Sequence, residues 1–181
     1  MSPALRSITP RAVAVVSLLL AGCAGVGAPP SETTARAELR TASGQAVGTA
    51  VFTQVGRGVR VVLEAQGMPA GVKAVHVHAV GRCEGPTFTS AGGHFNPTSR
   101  QHGALNPAGA HAGDLPNITI AGDGRGRLES TTELITLLSG VTSVFDGSGS
   151  ALVIHAAPDD FRTDPTGNSG ARIACGVITR P

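Results

Sequence analysis

Five of the chain's six histidines and one aspartate gather between Ala74 and Pro116, while the sixth histidine, His155, stands apart in LVIHAAPDD. In VHVH, His76 and His78 are two residues apart. On a strand that spacing turns both imidazoles to one face and sends Val75 and Val77 to the other. His94, His102 and His111 follow at spacings of eight and nine, with Asp114 three residues further on. Imidazoles and carboxylates in such density are metal ligands, because each offers a lone pair at neutral pH. An all-imidazole set suits a redox-capable copper ion, and three imidazoles with one carboxylate suit a closed tetrahedral zinc site. Six histidines and an aspartate are seven side chains, whereas two four-coordinate sites need eight ligand positions. One histidine must then bridge through both ring nitrogens.

The elements that position these ligands read as short strands. Residues 36–41 and 45–55 form two of them around the Ser43-Gly44 turn, and 58–65 a third. In that third run Val59, Val61 and Leu63 alternate with Arg60, Val62 and Glu64, which builds one apolar row. Further strands are expected over 73–80, 117–121, 127–134, 149–155 and 171–179, with 134–139 a turn or helical piece. His155 can reach the VHVH pair from a neighbouring strand. Residues 81–116 form an irregular segment too long to be idle in a compact domain, and its ligands are expected to converge under the hold of a metal. A second Pro- and Gly-marked loop spans 156–170. About eight short strands and two long loops predict an all-β antiparallel sandwich or barrel in a single domain.

Glycine is abundant and Trp and Tyr are absent, which fits strands and turns better than a helical bundle. Arg6 and Arg11 followed by AVAVVSLLLA (12–21) read as a positively charged and apolar targeting leader, too short to span a bilayer. Leu20-Ala21-Gly22-Cys23 resembles a bacterial lipobox, so residues 1–22 are expected to be a signal peptide and Cys23 a lipidated N-terminus. Residues 23–35 read as a flexible tether and 36–181 as the folded domain. This predicts export to the bacterial cell envelope and a membrane anchor on its periplasmic or extracellular face. Removing the two leader arginines from the 14 basic residues leaves twelve against 12 acidic ones. A balanced chain without a basic stripe gives no footing for nucleic acid. With Cys23 assigned to lipid, Cys83 and Cys175 remain, either as a disulfide in an oxidising compartment or as two buried thiols.

HVH, GGHFNP, the H-x7-H-x8-H-x2-D series, the isolated later histidine and GNSGARIACGVI together resemble the copper–zinc superoxide dismutases, over roughly 36–178. The resemblance implies an eight-stranded Greek-key barrel. It implies His76, His78, His94 and His155 as copper ligands and His94, His102, His111 and Asp114 as zinc ligands, with His94 the bridge. It pairs Cys83 with Cys175, makes Arg172 the active-site arginine and has Thr166 narrow the channel beside it. Asp159 becomes the carboxylate that orients His76 and His102. The activity implied is disproportionation of superoxide by copper(II)/copper(I) cycling beside a structural zinc, with Arg172 and His94 as the catalytic side chains. A homodimer is left open. The alternative is a non-catalytic copper- or zinc-binding lipoprotein on the same scaffold. A hydrolase is disfavoured, because no Gly-x-Ser-x-Gly elbow is present, and an adhesive domain leaves the histidine clustering unexplained.

Overall fold

The computed structural model describes residues 33–181 together with Met1. The expected leader, Cys23 and the tether up to Glu32 lie outside the described residues. Among the described residues the strands are β1 (Thr34–Arg40), β2 (Ala46–Val55), β3 (Gly58–Ala65), β4 (Gly71–Lys73), β5 (Val75–His78), β6 (Ile118–Ile120), β7 (Gly126–Thr132), β8 (Ala151–His155) and β9 (Arg172–Val177). They form one sheet in the order β4-β6-β7-β3-β2-β1-β9-β8-β5. Each strand pair is antiparallel.

The alternation of Val59, Val61 and Leu63 does what its period requires. All three are buried, while Arg60 and Glu64 are exposed. Across the ladder Val61 faces Phe52 of β2 and Leu63 faces Leu128 of β7. Leu39, Phe52, Ile118, Leu152, Ile154, Val75 and Val77 complete the same interior. Packing branched and aromatic side chains onto one pleated face is what stabilises such strands.

The single run expected over 73–80 is two strands, β4 and β5, with only Ala74 between them. They sit at opposite ends of the sheet order, so this one residue joins the sheet's two edges. The Ala74 N–H donates to Ala157 O, and its carbonyl accepts from His155 N. The sheet is thereby nearly closed into a barrel, which removes two exposed edges. Counting β4 and β5 as one bent strand recovers the expected eight. Two connections, β3 to β4 and β7 to β8, each pass over two strands, which is the Greek-key crossing. The strand borders shift slightly. β1 starts at Thr34, two residues early, β8 starts two residues late, and β9 is shorter than its expected run, with Thr179 paired to Arg36 only as an isolated bridge. Residues 134–139 are a bent lobe with no helix, and a 3-10 turn (Thr89–Ala91) lies inside the long loop.

The Cys83–Cys175 disulfide forms, with the Cα atoms 5.6 Å apart across a sequence separation of 92. It ties the loop after β5 to β9. Beneath it Phe88, Ala91, Ala151, Val153 and Cys175 form a second, smaller apolar cluster on the outer face of the barrel. In the chain-entropy view, closing a loop of that length contributes about 4 to 5 kcal/mol.

Candidate metal centre

The site is built on the outer face of β5. Val75 and Val77 enter the core, and His76 and His78 point the other way, yet all four residues are buried. The long loop provides the cover. Val77 N donates to Gly113 O and Phe95 N donates to Val77 O, each at 2.8 Å, and Ala79 N donates to Gly93 O at 2.9 Å. These bonds bring His94 opposite His78 and Asp114 opposite His76. The loop ligands were expected to converge under a metal's hold. Backbone pairing with β5 supplies part of that convergence.

His155 ends β8, where a register shift follows Ile154, and lies across from Arg172 at the start of β9. His76, His78, His94 and His155 then place ligand atoms within 4.8 Å of one another, all four residues buried. In three of these rings the other nitrogen is already engaged. His76 Nε2 meets Asp159 Oδ2 at 2.8 Å, and His78 Nδ1 meets Gly92 O at 2.9 Å. His155 Nδ1 meets Ser169 Oγ at 3.1 Å and Gly170 O at 3.2 Å. Two buried ring nitrogens, His76 Nδ1 and His94 Nε2, have no partner. An orphaned buried nitrogen is costly unless something fills the space before it. Two orphans beside the facing His78 and His155 Nε2 atoms, 3.4 Å apart, fit one copper ion held by four imidazoles.

A second set lies on the far side of the His94 ring. Asp114 Oδ1 stands 3.0 Å from His94 Nδ1, 3.1 Å from His102 Nδ1 and 3.3 Å from His111 Nδ1. His94 Nδ1 and His111 Nδ1 are 3.4 Å apart. A tetrahedral zinc with bonds of roughly 2.0 to 2.1 Å has ligand–ligand edges of about 3.3 to 3.4 Å, so the spacing fits that ion. Asp114 Oδ2 is held by the N–H groups of Gly103 and His111 at 2.9 and 3.0 Å, which aims Oδ1 at the three rings. His76 also lies within 4.8 Å of His94, His102 and Asp114. Its Nε2 is taken by Asp159, and its free Nδ1 belongs with the four-imidazole set.

Electrostatics prepares the two sets differently. Burial is the largest influence on His76 and His155 and lowers them to about 4 and about 3, so both rings are neutral and ready to donate a lone pair. His78 is pushed lower still by burial, against the bond to Gly92, and burial also lowers His111. Burial pulls on His102 as well, but its bonds to Asp114 and Asp159 outweigh it and raise this ring to about 9. A metal bound at His102 Nδ1 would therefore displace a proton. Burial raises the Asp114 and Asp159 carboxyls, yet their hydrogen bonds to His102 and other donors hold both well below the usual carboxylate range.

Asp159 spans both sets, with Oδ2 on His76 and Oδ1 2.9 Å from His102 Nε2. Its backbone is braced by Asn117 through Asp159 N to Oδ1 and Nδ2 to Asp159 O. Gly167 lies against this carboxylate. A Cβ there would overlap Asp159 Oδ1 and crowd His102 Nε2, and its φ is +62°. Arg172 is half-buried and donates to Phe88 O and Gly92 O, each at 2.7 Å. The Gly92 carbonyl thus serves both Arg172 and His78. Thr166 is exposed on the loop just before Gly167.

Sequence reasoning singled out neither Asn117, Gly167, Ser169 nor the Phe88 and Gly92 carbonyls. Gly167, Ser169 and Gly170 fall within the GNSG motif, which was read as a whole and not residue by residue. A backbone carbonyl carries no residue-type signal at all.

Residues 46–178 match the family profile described as copper/zinc superoxide dismutase (SODC). The chain belongs to this family. Copper and zinc are the family's metals, and the chain's histidine groups are able to bind metal. A protein of Aquifex aeolicus named superoxide dismutase (Cu-Zn) 2 is 47% identical over 146 residues, covering 80% of this chain and 85% of its own length. A superoxide dismutase (Cu-Zn) of Deinococcus radiodurans is 40% identical over 185 residues, covering 96% and 97%. Among solved structures, a double mutant of a superoxide dismutase-like protein from Bacillus subtilis superposes with a TM-score of 0.76 at 39% identity, covering 80% of this chain and 96% of that one.

Proposed function

We propose that the protein is an active superoxide dismutase, exported and held at the membrane by lipid on Cys23. The observation that carries the catalytic reading is the His94 ring. Its Nε2 is buried without a partner beside the other imidazoles, and its Nδ1 faces the Asp114 set. His76, His78, His94 and His155 would hold copper, and His94, His102, His111 and Asp114 would hold zinc. Copper held in that pocket would supply the one-electron couple that the reaction needs.

The net reaction converts two superoxide anions and two protons into oxygen and hydrogen peroxide. Arg172 supplies a cation next to His155, fixed by the Phe88 and Gly92 carbonyls, where it attracts and orients the anion. His94 takes a proton at Nε2 and hands it to the nascent peroxide, while its Nδ1 stays committed to the Asp114 side and keeps the ring in place.

Some family members bear the name superoxide dismutase-like, so binding and turnover are tested together. Metal content and superoxide consumption are measured before and after reconstitution with copper and zinc. Turnover that appears with copper supports the reading, and both metals bound without turnover makes the protein a metal-binding relative. For the anchor, Cys23→Ser should release the protein from the membrane fraction; an unchanged bound fraction removes it.

A further inference from the structure

One end of the barrel presents apolar side chains that the metal centre does not use. Leu134, Leu138 and Val141 are 45%, 49% and 75% exposed, and Val55 at the end of β2 is 51% exposed. The lobe that carries the first three is firmly built. Ile135, Leu137 and Val144 are buried beneath it. Thr136 N donates to Thr142 O at 3.0 Å, and Val144 N donates to Thr136 O at 3.1 Å. The exposed side chains are therefore held outward by structure.

The same end receives the chain's N-terminal segment. Gln54 N donates to Thr33 O at 2.9 Å. The Gln54 side-chain oxygen accepts from Thr136 Oγ1 at 3.0 Å and Leu137 N at 2.8 Å. One glutamine thus ties the entry point of the folded domain to the base of the apolar lobe.

We infer that this end is a membrane-docking surface on which Val55, Leu134, Leu138 and Val141 rest in the headgroup boundary of the bilayer. The inference rests on the lipid anchor at Cys23. From Cys23 to Thr33 is ten residues, a root-mean-square reach of roughly 16 to 19 Å for a flexible chain. β2 alone, with 10 residues, is about 33 Å long. A coil whose root-mean-square reach is about half that strand length favours the end bearing Thr33 facing the lipid. Arg57 and Arg180 are exposed here, but so are Glu133 and Asp146. The contact is therefore apolar and independent of anionic lipid.

The chain has no Trp and no Tyr, so one introduced indole reports alone. Lipidated full-length protein carrying Val141→Trp is reconstituted in phosphatidylcholine vesicles with and without brominated acyl chains. Bromination should cut emission at least about twofold, since docked side chains sit at the depth of the headgroup–acyl boundary. Ser43→Trp, in the turn at the opposite end, should be unaffected. Leu138→Trp, checked by circular dichroism, is the second reporter if Val141→Trp misfolds. Vesicle-bound protein with no quenching at either lobe position overturns docking and leaves the anchor standing. Protein that fails to co-float with vesicles brings down the anchor and docking together. A concentration-dependent emission shift without bromine quenching assigns the face to a second copy and overturns the proposal.

Discussion

Replacing Asp159 by Asn tests the idea that one carboxylate sets the tautomers of both metal sets. Three donors converge on it: His76 Nε2 on Oδ2 at 2.8 Å, His102 Nε2 on Oδ1 at 2.9 Å and Phe161 N on Oδ1 at 2.6 Å. Asparagine keeps the size but offers one oxygen and one NH2 group. With its oxygen at the Oδ1 position, the NH2 faces His76 Nε2, donor against donor. That ring must then give up its Nε2 proton and carry one on Nδ1, the nitrogen needed for copper. With the amide flipped, the same conflict falls on His102 and the zinc set. At least one site must suffer.

Loss of a partner that orients a metal-bound histidine costs about 10- to 100-fold in affinity, or about 1.4 to 2.8 kcal/mol. Leaving one buried donor unsatisfied costs about 1 to 3 kcal/mol, and the two routes agree. Competition titration of Asp159→Asn with chromophoric chelators, copper and zinc separately, measures the effect. Both affinities within about threefold of wild type would show that Asp159 does not set the tautomers, and the argument would fail.

Other outcomes follow from the same geometry. Arg172→Ala should keep both metals and lower turnover by about 10- to 100-fold with a weaker salt dependence; unchanged kinetics remove Arg172 from the mechanism. Cys83→Ser should cost about 2 to 5 kcal/mol of stability, read as a drop of roughly 5 to 15 °C in Tm, and an unchanged midpoint denies the disulfide that role. Gly167→Ala places a methyl group against Asp159 and His102, so zinc should bind at least about tenfold more weakly, checked by the chelator titration. In the metal-free protein His76 and His155 resist protonation down to about 4 and about 3, whereas the unfolded chain takes those protons near 6.5. Stability should therefore fall as pH drops below 6.5. His102, raised to about 9, contributes fully below 6.5 and loses its contribution as pH rises through 9. The apo Tm should peak near pH 6.5, each proton contributing a slope of up to about 1.4 kcal/mol per pH unit; a flat profile from pH 4 to 9 refutes these assignments.

The β strands were legible because their period is local. Val59, Val61 and Leu63 report a buried face from three residues alone. The division at Ala74 was not legible, because it depends on partners distant in sequence: Lys73 pairs with Ile118, while Val75 pairs with Ile154. The lobe after β7 was ambiguous for a similar reason. Its order comes from Gln54 and from the pairing of Thr136 with the segment near Ser143, and neither leaves a periodic pattern.

The histidines were legible because side-chain chemistry is written in the residue type, but what aims them is a mixture of side chains and backbone carbonyls that sequence spacing does not reveal. Among the six rings, His76 and His102 are turned by Asp159, His78 by the Gly92 carbonyl, and His155 by Ser169 and the Gly170 carbonyl. His94 differs from these four: its Nδ1 lies in the Asp114 set and its Nε2 is buried without a partner. A ring held on one side by an acceptor outside both ligand sets can serve one metal, because that acceptor fixes a proton there. A ring placed to serve two has each nitrogen facing a different ligand set, as His94 does with Asp114 at Nδ1 and the other imidazoles at Nε2. That placement is what supports the proposed bridging role, and it separates His94 from these four neighbours, which carry the same side chain.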